Sequence, residues 1–267
     1  MATFLYIDYG PSPDIALELK YSLATLLAET AGAEPDILVY TDKPAVYAGL
    51  HPKLTTRTLG DDLARWSRDG LYRHRVKPCA LLDALQTISE TVVLVDTDTF
   101  FRAGFAAALP RATAAGGAAM DQFERRDPCP NCAGIETTLP HAGRYAYVGA
   151  TAAMYNSGLV AANRQRHVAA LEDAIALIDA WLDTGIGQEN IEQIAVSEAF
   201  RLHGEAIAEL TPLFAHYYLR SQKLYMRPRI AAWLKRSGGL TPARPFLEPS
   251  KGRVRFARVF DRWLGRR

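Results

Sequence analysis

The amino-acid sequence predicts an α/β fold with a mixed, mainly parallel sheet flanked by helices. Short apolar runs of strand length alternate with longer segments whose apolar residues recur every three or four positions, and most connections are short. Several of the strand-like runs end in an aspartate, at Asp8, Asp42 and Asp96. Because ligands of such sheets bind beyond the carboxyl ends of the strands, we expect these three aspartates at one functional edge.

Length, hydropathy and charge argue against a membrane-spanning protein and against a nucleic-acid-binding protein. The chain has 267 residues, of which 49% are hydrophobic and 22% charged, so it is long enough for a large folded core. The longest apolar runs are far shorter than the roughly 20 residues of a membrane-spanning helix. The first eight residues lack the basic segment of a signal peptide, and we therefore expect a cytoplasmic protein. The last 17 residues hold seven basic side chains and one acid, which leaves residues 1–250 net acidic and argues against a nucleic-acid partner.

The first part of the chain predicts alternating strands and helices. Residues 3–8 form an apolar, β-prone run that ends in a turn, and Ser12-Pro13 then supplies a helix cap followed by proline at the first helical position. Apolar residues recur at spacings of three and four from Ile15 to Leu27, which predicts a helix with one face against a sheet. Residues 37–40 predict a second buried strand. The polar stretch at 51–75 predicts no more than a short strand.

The rest of the chain continues this alternation. Apolar runs predict strands at residues 92–95, 117–120, 153–159 and 207–210. Helical periodicity predicts helices at residues 77–88, 168–182 and 188–196. Residues 124–146 contain several prolines and glycines and predict a long loop, a feature that is usually functional or mobile in a compact domain.

The strand predicted at 92–95 leads directly into Asp96-Thr97-Asp98. Two carboxylates at this spacing emerge together at a sheet edge and can share one hard cation, for which oxygen ligands select magnesium or manganese. Such an ion neutralises a diphosphate and stabilises a leaving nucleotide. The triplet alone is a weak signal, because acidic triplets at strand ends also bind water or cap the following turn.

Four segments give this triplet a context. They are Asp8-Tyr9, Tyr72-x-x-Arg75-x-Lys77, the run from Val93 to Phe101, and Tyr155-Asn156-Ser157-Gly158-Leu159. In this order, over roughly residues 3–225, the sequence resembles the GT-A nucleotide-diphospho-sugar glycosyltransferases, especially glycosyltransferase family 8 and its bacterial relatives. The resemblance implies a GT-A domain over residues 1–250. It also implies transfer of a sugar from a nucleotide diphosphate, expected to be a UDP-sugar, to a glycan or lipid-linked acceptor with the help of Mn²⁺ or Mg²⁺.

The resemblance also implies a donor-binding site. Asp8 and Tyr9 are expected to contact the nucleotide base, and Arg75 and Lys77 to approach the diphosphate or the sugar. Asp42 and Thr97 belong to the same predicted donor site, since they lie at the same sheet edge.

Further residues are implied on the metal side and on the reacting side. Asp98 is the expected direct metal ligand, and Asp96 bridges the ribose or the metal. Asn156 and Ser157 are expected to line the sugar and acceptor side, although Asn156-Ser157-Gly158 is also typical of a strand bulge. The pair Glu192-Gln193 is expected near the reacting sugar, with a solvated helix face as the alternative.

A third metal ligand and a phosphate contact are sought late in the chain, at His216 and Lys223. The family pattern His-x-x-Gly-x-x-Lys-Pro-Trp is incomplete here, because the glycine and the Pro-Trp pair are absent and the lysine lies one residue too far along. An isolated histidine is also often an ordinary packed or surface residue. His216 and Lys223 are therefore candidates at positions where the sequence departs from the family pattern.

Cys129 and Cys132 are separated by two residues within the predicted loop. Three cysteines in a chain without an export signal favour free thiols over a disulfide framework. Half of a zinc site is the alternative, but a structural zinc ion needs four ligands and a second half is not evident in the sequence.

Residues 251–267 predict a basic amphipathic helix. Its aromatic and apolar residues recur at helical spacing beside four arginines. Such a helix can make peripheral contact with an anionic membrane, here the inner face, or it can pack on its own domain or on a partner protein.

Two other functions compete with sugar transfer. A sugar nucleotidyltransferase on a related fold needs a glycine-rich, arginine-containing loop after the first strand, and the segment from Asp8 to Pro13 is not of that kind. A non-catalytic module that binds a nucleotide or a glycan is compatible with the fold. Retention of anomeric configuration is implied by the resemblance alone.

Overall fold

The computed structural model describes residues 2–126, 129–188, 190–244 and 248–249. The strands are β1 (Thr3–Asp8), β2 (Asp36–Thr41), β3 (Leu54–Thr58), β4 (Thr91–Val95), β5 (Thr99–Phe101), β6 (Ala118–Met120), β7 (Phe123–Arg126), β8 (Glu136–Leu139), β9 (Gly143–Ala146), β10 (Ala153–Tyr155), β11 (Leu159–Asn163), β12 (Ile207–Glu209) and β13 (Phe214–His216). The α-helices are α1 (Pro13–Glu29), α2 (Asp61–Ser67), α3 (Val76–Thr87), α4 (Phe105–Ala112), α5 (Arg164–Asp183), α6 (Ile191–Leu202) and α7 (Arg220–Ser237).

Seven strands form the central sheet, in the order β12-β6-β11-β4-β1-β2-β3. Strand β11 runs antiparallel to β4 and β6, and the other neighbouring pairs are parallel. The mixed, mainly parallel sheet predicted from the sequence is confirmed. Since β1, β2 and β4 are parallel neighbours, the aspartates that follow or end them, Asp8, Asp42 and Asp96, lie at one edge.

Both faces of the sheet are covered by helices. On β1, Leu5 packs in one buried cluster with residues of α3 and α5, whereas Phe4 and Tyr6 pack in another with residues of α1. This division follows from the alternation of side chains along a strand. Helix α1 begins as predicted, with Pro13 in its first turn and the Asp14 N–H donating to Ser12 Oγ at 3.3 Å.

The loop predicted at 124–146 is wrong in part. Strand β7 pairs with β10, and β8 forms a hairpin with β9. These strands are short, and many of their side chains are polar and exposed, so they lack the apolar run that marks a buried strand. The strand predicted at 153–159 is likewise two strands, β10 and β11, separated by residues 156–158.

Cys129 and Cys132 form a disulfide, so the prediction of free thiols at these two positions is wrong. A 3-10 turn at Pro130–Cys132 follows the first cysteine, and the two Cα atoms are 5.3 Å apart, within the range that a disulfide requires. Sequence spacing does not reveal this turn. The third cysteine, Cys79, is a buried free thiol.

No helix among the described residues is both long and apolar enough to cross a membrane. The basic helix predicted at residues 251–267 lies outside the residues that the structure describes.

Candidate metal and donor site

Two aspartates and one histidine converge where β4 ends. One ligand atom from each of Asp96, Asp98 and His216 lies within 4.8 Å of the other two. Nε2 of His216 is 3.3 Å from Oδ1 of Asp98 and 3.6 Å from Oδ2 of Asp96. Carboxylate oxygens with one imidazole nitrogen form a donor set that suits divalent ions such as Mn²⁺. The residues present therefore fit a resident divalent cation.

Backbone hydrogen bonds hold the acidic triplet in place. The N–H of Asp96 donates to the carbonyl oxygen of Gly158 at 2.8 Å, and the N–H of Tyr217 donates to the carbonyl oxygen of Asp98 at 2.9 Å. The hydroxyl of Thr99 donates to the carbonyl oxygen of Asp96 at 2.7 Å. Since β13 pairs with β5 in antiparallel register, with His216 opposite Thr99, the histidine is delivered next to the triplet.

Asn156 and Gly158 fit closely against the histidine. Oδ1 of Asn156 accepts a hydrogen bond from the N–H of Gly158 at 2.8 Å and lies 2.9 Å from Nδ1 of His216. A Cβ added at Gly158 would lie only 2.3 Å from the same nitrogen. Glycine is thus required here by close approach of the imidazole, and the Asn-Ser-Gly segment is part of the site.

Two lysines pair with the two aspartates. Nζ of Lys77 is 2.7 Å from Oδ2 of Asp96, and Nζ of Lys223 is 2.7 Å from Oδ2 of Asp98. Burial alone would lower the pKa of Lys77, but Asp96 and Glu192 outweigh it and hold that pKa above its ordinary value. Burial alone would raise the pKa of Asp98, but His216 and Lys223 keep it well below its usual range. Lys77 is therefore charged beside the candidate metal ligands, and Lys223 forms an ion pair with one of them.

Glu192 and Gln193 approach the same place from the start of α6. The Ser157 hydroxyl donates to Oε2 of Glu192 at 3.0 Å, and the Ser157 N–H donates to Oε1 of Gln193 at 3.2 Å. Nζ of Lys77 lies 3.3 Å from the same hydroxyl. Glu192 is buried, which contradicts a solvated face for this side chain, and its Oε1 has no hydrogen-bond partner among the described residues. Burial, opposed by Lys77, raises the pKa of Glu192 to about 7.

The predicted base-binding residues lie at the edge formed by β1 and β2. The carboxylate of Asp8 is buried and is bound by Nζ of Lys43 at 2.9 Å and by the hydroxyl of Tyr47. Asp42 accepts a hydrogen bond from the N–H of Gly10 at 2.9 Å, and the Tyr9 hydroxyl donates to the carbonyl oxygen of Arg73 at 3.2 Å. Both oxygens of Asp8 are thus engaged within the chain.

Arg75 is not brought into this site. Its Nε and Nη2 donate to the two carboxylate oxygens of Asp179 on α5, each at 2.8 Å, and its Nη1 donates to the carbonyl oxygen of Trp66 at 3.0 Å. The structure therefore does not show the predicted contact with the diphosphate or sugar, since a bidentate pair with Asp179 holds the guanidinium against α5. Thr97 lies between the two aspartates in the turn and is half-buried.

Two acidic residues of this region were missed in the sequence. Asp121 follows β6, is buried, and places Oδ2 3.8 Å from Nδ1 of His216. Burial, opposed by His216, raises its pKa to about 6. Glu124 accepts a hydrogen bond from Nδ2 of Asn156 at 2.6 Å. The rule that singled out Asp8 and Asp96, an acid at the end of a strand, also applies to Asp121, whereas Glu124 lay in the predicted loop.

An open cleft of about 510 Å³ adjoins the cluster on the Glu124 side. Its lining residues are Gln122, Phe123, Glu124, Arg125, Met154, Asn190 and Tyr218. The residues Phe123 and Tyr218 are 38% and 46% exposed, so the cleft presents aromatic side chains beside polar groups.

Comparison with known proteins identifies the fold. No model of a protein family matches the chain. No curated protein matches it by sequence. Among solved structures, it is similar to the galactosyltransferase LgtC in complex with donor and acceptor sugar analogues, with a TM-score of 0.55 and 12% sequence identity over 94% of this chain and 99% of that one. The predicted GT-A fold is confirmed.

Proposed function

We propose that this protein is a metal-dependent glycosyltransferase that moves a sugar from a nucleotide diphosphate, expected to be a UDP-sugar, to a glycan or lipid-linked acceptor. The observation that carries the proposal is the cluster of Asp96, Asp98 and His216, flanked by Lys77 and Lys223, at the carboxyl edge of a GT-A sheet. The similar galactosyltransferase, which was crystallised with donor and acceptor sugar analogues, supports the same class of reaction.

The charges of the site match a diphosphate and a divalent cation taken together. Without ligands, the two aspartates are balanced by the two lysines. When bound, the cation supplies Lewis-acid stabilisation of the leaving nucleotide. Asp96, Asp98 and His216 would hold it, and Lys77 and Lys223, released from their carboxylates, would bind the phosphate oxygens. The added positive and negative charges offset each other, so the cation and the nucleotide should each increase the affinity for the other.

The reacting sugar would lie between this cluster and the start of α6. Ser157 holds the side chains of Glu192 and Gln193 at this position through its hydroxyl and its N–H. With a pKa near 7, Glu192 is able to accept or release a proton at neutral pH. Gln193 presents its amide to the same space and is the uncharged candidate for contact with the sugar. Retention of configuration stays a prediction.

The acceptor would enter by the cleft beside Glu124. Exposed aromatic rings such as those of Phe123 and Tyr218 provide flat apolar surfaces for a sugar ring, with polar side chains at their margins. Contact of residues 251–267 with the inner face of a membrane also stays a prediction.

Binding of UDP in the presence and absence of Mn²⁺ tests the donor site. We expect Mn²⁺ to tighten UDP binding in the wild type, and Asp98→Asn to abolish that gain. Asp36→Asn is the matched control, since Asp36 is an exposed aspartate at the start of β2, away from the carboxyl edge. UDP binding that is indifferent to Mn²⁺ in the wild type, or a gain that survives in Asp98→Asn, would contradict the proposal.

A further inference from the structure

The buried side chain of Asn156 joins Glu124 to His216. Its Nδ2 donates to Oε1 of Glu124 at 2.6 Å. On the other side, its Oδ1 lies 2.8 Å from the N–H of Gly158 and 2.9 Å from Nδ1 of His216. The amide therefore has a defined partner for each of its two ends.

These partners determine which end of the amide faces the histidine. A backbone N–H only donates, so the atom that faces Gly158 is the amide oxygen. A carboxylate accepts, so the atom that faces Glu124 is the amide nitrogen. The same amide oxygen faces His216, and the 2.9 Å contact is a hydrogen bond only when Nδ1 of His216 carries the proton.

A proton on Nδ1 leaves Nε2 of the neutral imidazole with its lone pair. Nε2 is the nitrogen that faces Asp98 and Asp96, at 3.3 Å and 3.6 Å. The carboxylate of Asp121, 3.8 Å from Nδ1, favours the same tautomer. When His216 is neutral, as binding of a cation requires, its lone pair is thus directed at the space between the two aspartates.

We propose that Glu124 is a positioning residue, which acts through the amide of Asn156 to fix the tautomer and ring orientation in which His216 binds the cation through Nε2. This inference rests on the proposed metal site. Loss of a group that hydrogen-bonds to the nitrogen of a metal-binding histidine that is not bound to the metal commonly lowers metal affinity by about 10- to 100-fold. Glu124 lies one hydrogen bond further away, and Gly158 also holds the amide, so we expect about 3- to 10-fold.

Binding of Mn²⁺ alone, measured by calorimetry on the full-length protein, tests the inference with three variants. Glu124→Ala removes the acceptor and should weaken Mn²⁺ binding by about 3- to 10-fold. Glu124→Gln keeps an oxygen acceptor without the charge and should bind within about twofold of wild type, since its amide still accepts a neutral hydrogen bond. Glu209→Ala is the control for disturbance of β7, because its carboxylate accepts from the N–H of Phe123 at 2.8 Å, and it should bind as wild type does.

A second measurement reports the tautomer directly. In the protein loaded with diamagnetic Zn²⁺, ¹H–¹⁵N correlation spectra of the imidazoles should show a proton on Nδ1 of His216, identified by loss of its signals in His216→Gln. A proton on Nε2 with the metal on Nδ1 would overturn the inference. An unchanged Mn²⁺ affinity in Glu124→Ala would also overturn the inference. So would an equal loss of Mn²⁺ affinity in Glu124→Gln, which would indicate a charge effect, or an equal loss in Glu209→Ala. Failure of the wild type to bind Mn²⁺ would instead refute the metal site itself.

Discussion

The contact between Gly158 and His216 makes the substitution Gly158→Ala the most informative single change. The added Cβ would lie 2.3 Å from Nδ1 and 2.9 Å from both Cγ and Cε1 of the imidazole. Comfortable contacts of this kind are about 3.5 Å, so the ring must retreat by roughly 1 Å. Nδ1 is bound to Oδ1 of Asn156 at 2.9 Å, and a retreat of this size breaks that bond.

The cost to metal binding and to stability follows from this displacement. A metal–ligand distance tolerates deviations of only about 0.2 Å, so the displaced histidine ceases to be a ligand. We expect the Mn²⁺ affinity to fall by at least about 10-fold. Overpacking of a buried site also costs about 1–3 kcal/mol of unfolding free energy.

Calorimetric titration with Mn²⁺ and thermal unfolding measure the two effects. Gly187→Ala is the matched control, because among the described residues its Cβ would meet only Leu182 Cδ2, at 3.7 Å. In a His216→Ala background the added methyl has no imidazole to displace, so Gly158→Ala should cost far less stability there. A Gly158→Ala variant with wild-type Mn²⁺ affinity, or with the same loss of stability in both backgrounds, would refute this reasoning.

Three further predictions concern the ionisable residues Glu192, Lys223 and Arg75. Since burial raises the pKa of Glu192 to about 7, folding favours its protonated form, and the protein should lose stability as pH rises from about 4.5 to 7. In denaturant titrations across this window, Glu192→Gln should remove a loss of unfolding free energy on the order of 3 kcal/mol. An equal pH dependence in the variant and the wild type would contradict the assignment. Lys223→Met should bind Mn²⁺ alone more tightly, because Asp98 loses a competing ammonium group, yet it should bind UDP in the presence of Mn²⁺ more weakly. Calorimetry with each ligand checks these opposite changes in affinity. Weaker binding of both ligands would show that the lysine supports the site by packing. Arg75→Ala should lower the free energy of unfolding by about 1–3 kcal/mol, because the pair with Asp179 is lost, and should leave the UDP affinity unchanged. Loss of UDP affinity without loss of stability would instead support the contact of Arg75 with the diphosphate or sugar that the sequence predicts.

The sheet edge was predictable because it depends on local patterns. An apolar run followed by an acid predicts a strand end, and parallel strands bring such ends together, so the sequence predicts Asp96 and Asp98 at this edge. The same rule applied to β6 finds Asp121. His216 was harder, since it is delivered by β13, a three-residue strand without a distinct apolar pattern.

The features that differ from the predictions, or that add to them, depend on contacts that sequence spacing does not encode. Arg75 precedes Lys77 by two positions, but its partner Asp179 lies on a distant helix, and only the packing of α3 against α5 shows that pairing. The bond between Cys129 and Cys132 depends on one 3-10 turn. The role of Gly158 comes from the approach of an imidazole from another strand, and its own backbone conformation does not require glycine.

Turnover of a panel of nucleotide sugars is the most direct test of sugar transfer by this site. Release of the nucleotide diphosphate would be followed with Mn²⁺ and with chelator, for the wild type, Asp98→Asn and the control Asp36→Asn. We expect the wild type and Asp36→Asn to consume at least one donor, a UDP-sugar, only when Mn²⁺ is present. Asp98→Asn should not consume it. Absence of turnover with every donor, or turnover that Asp98→Asn leaves unchanged, would contradict the assignment of this site to metal-dependent sugar transfer.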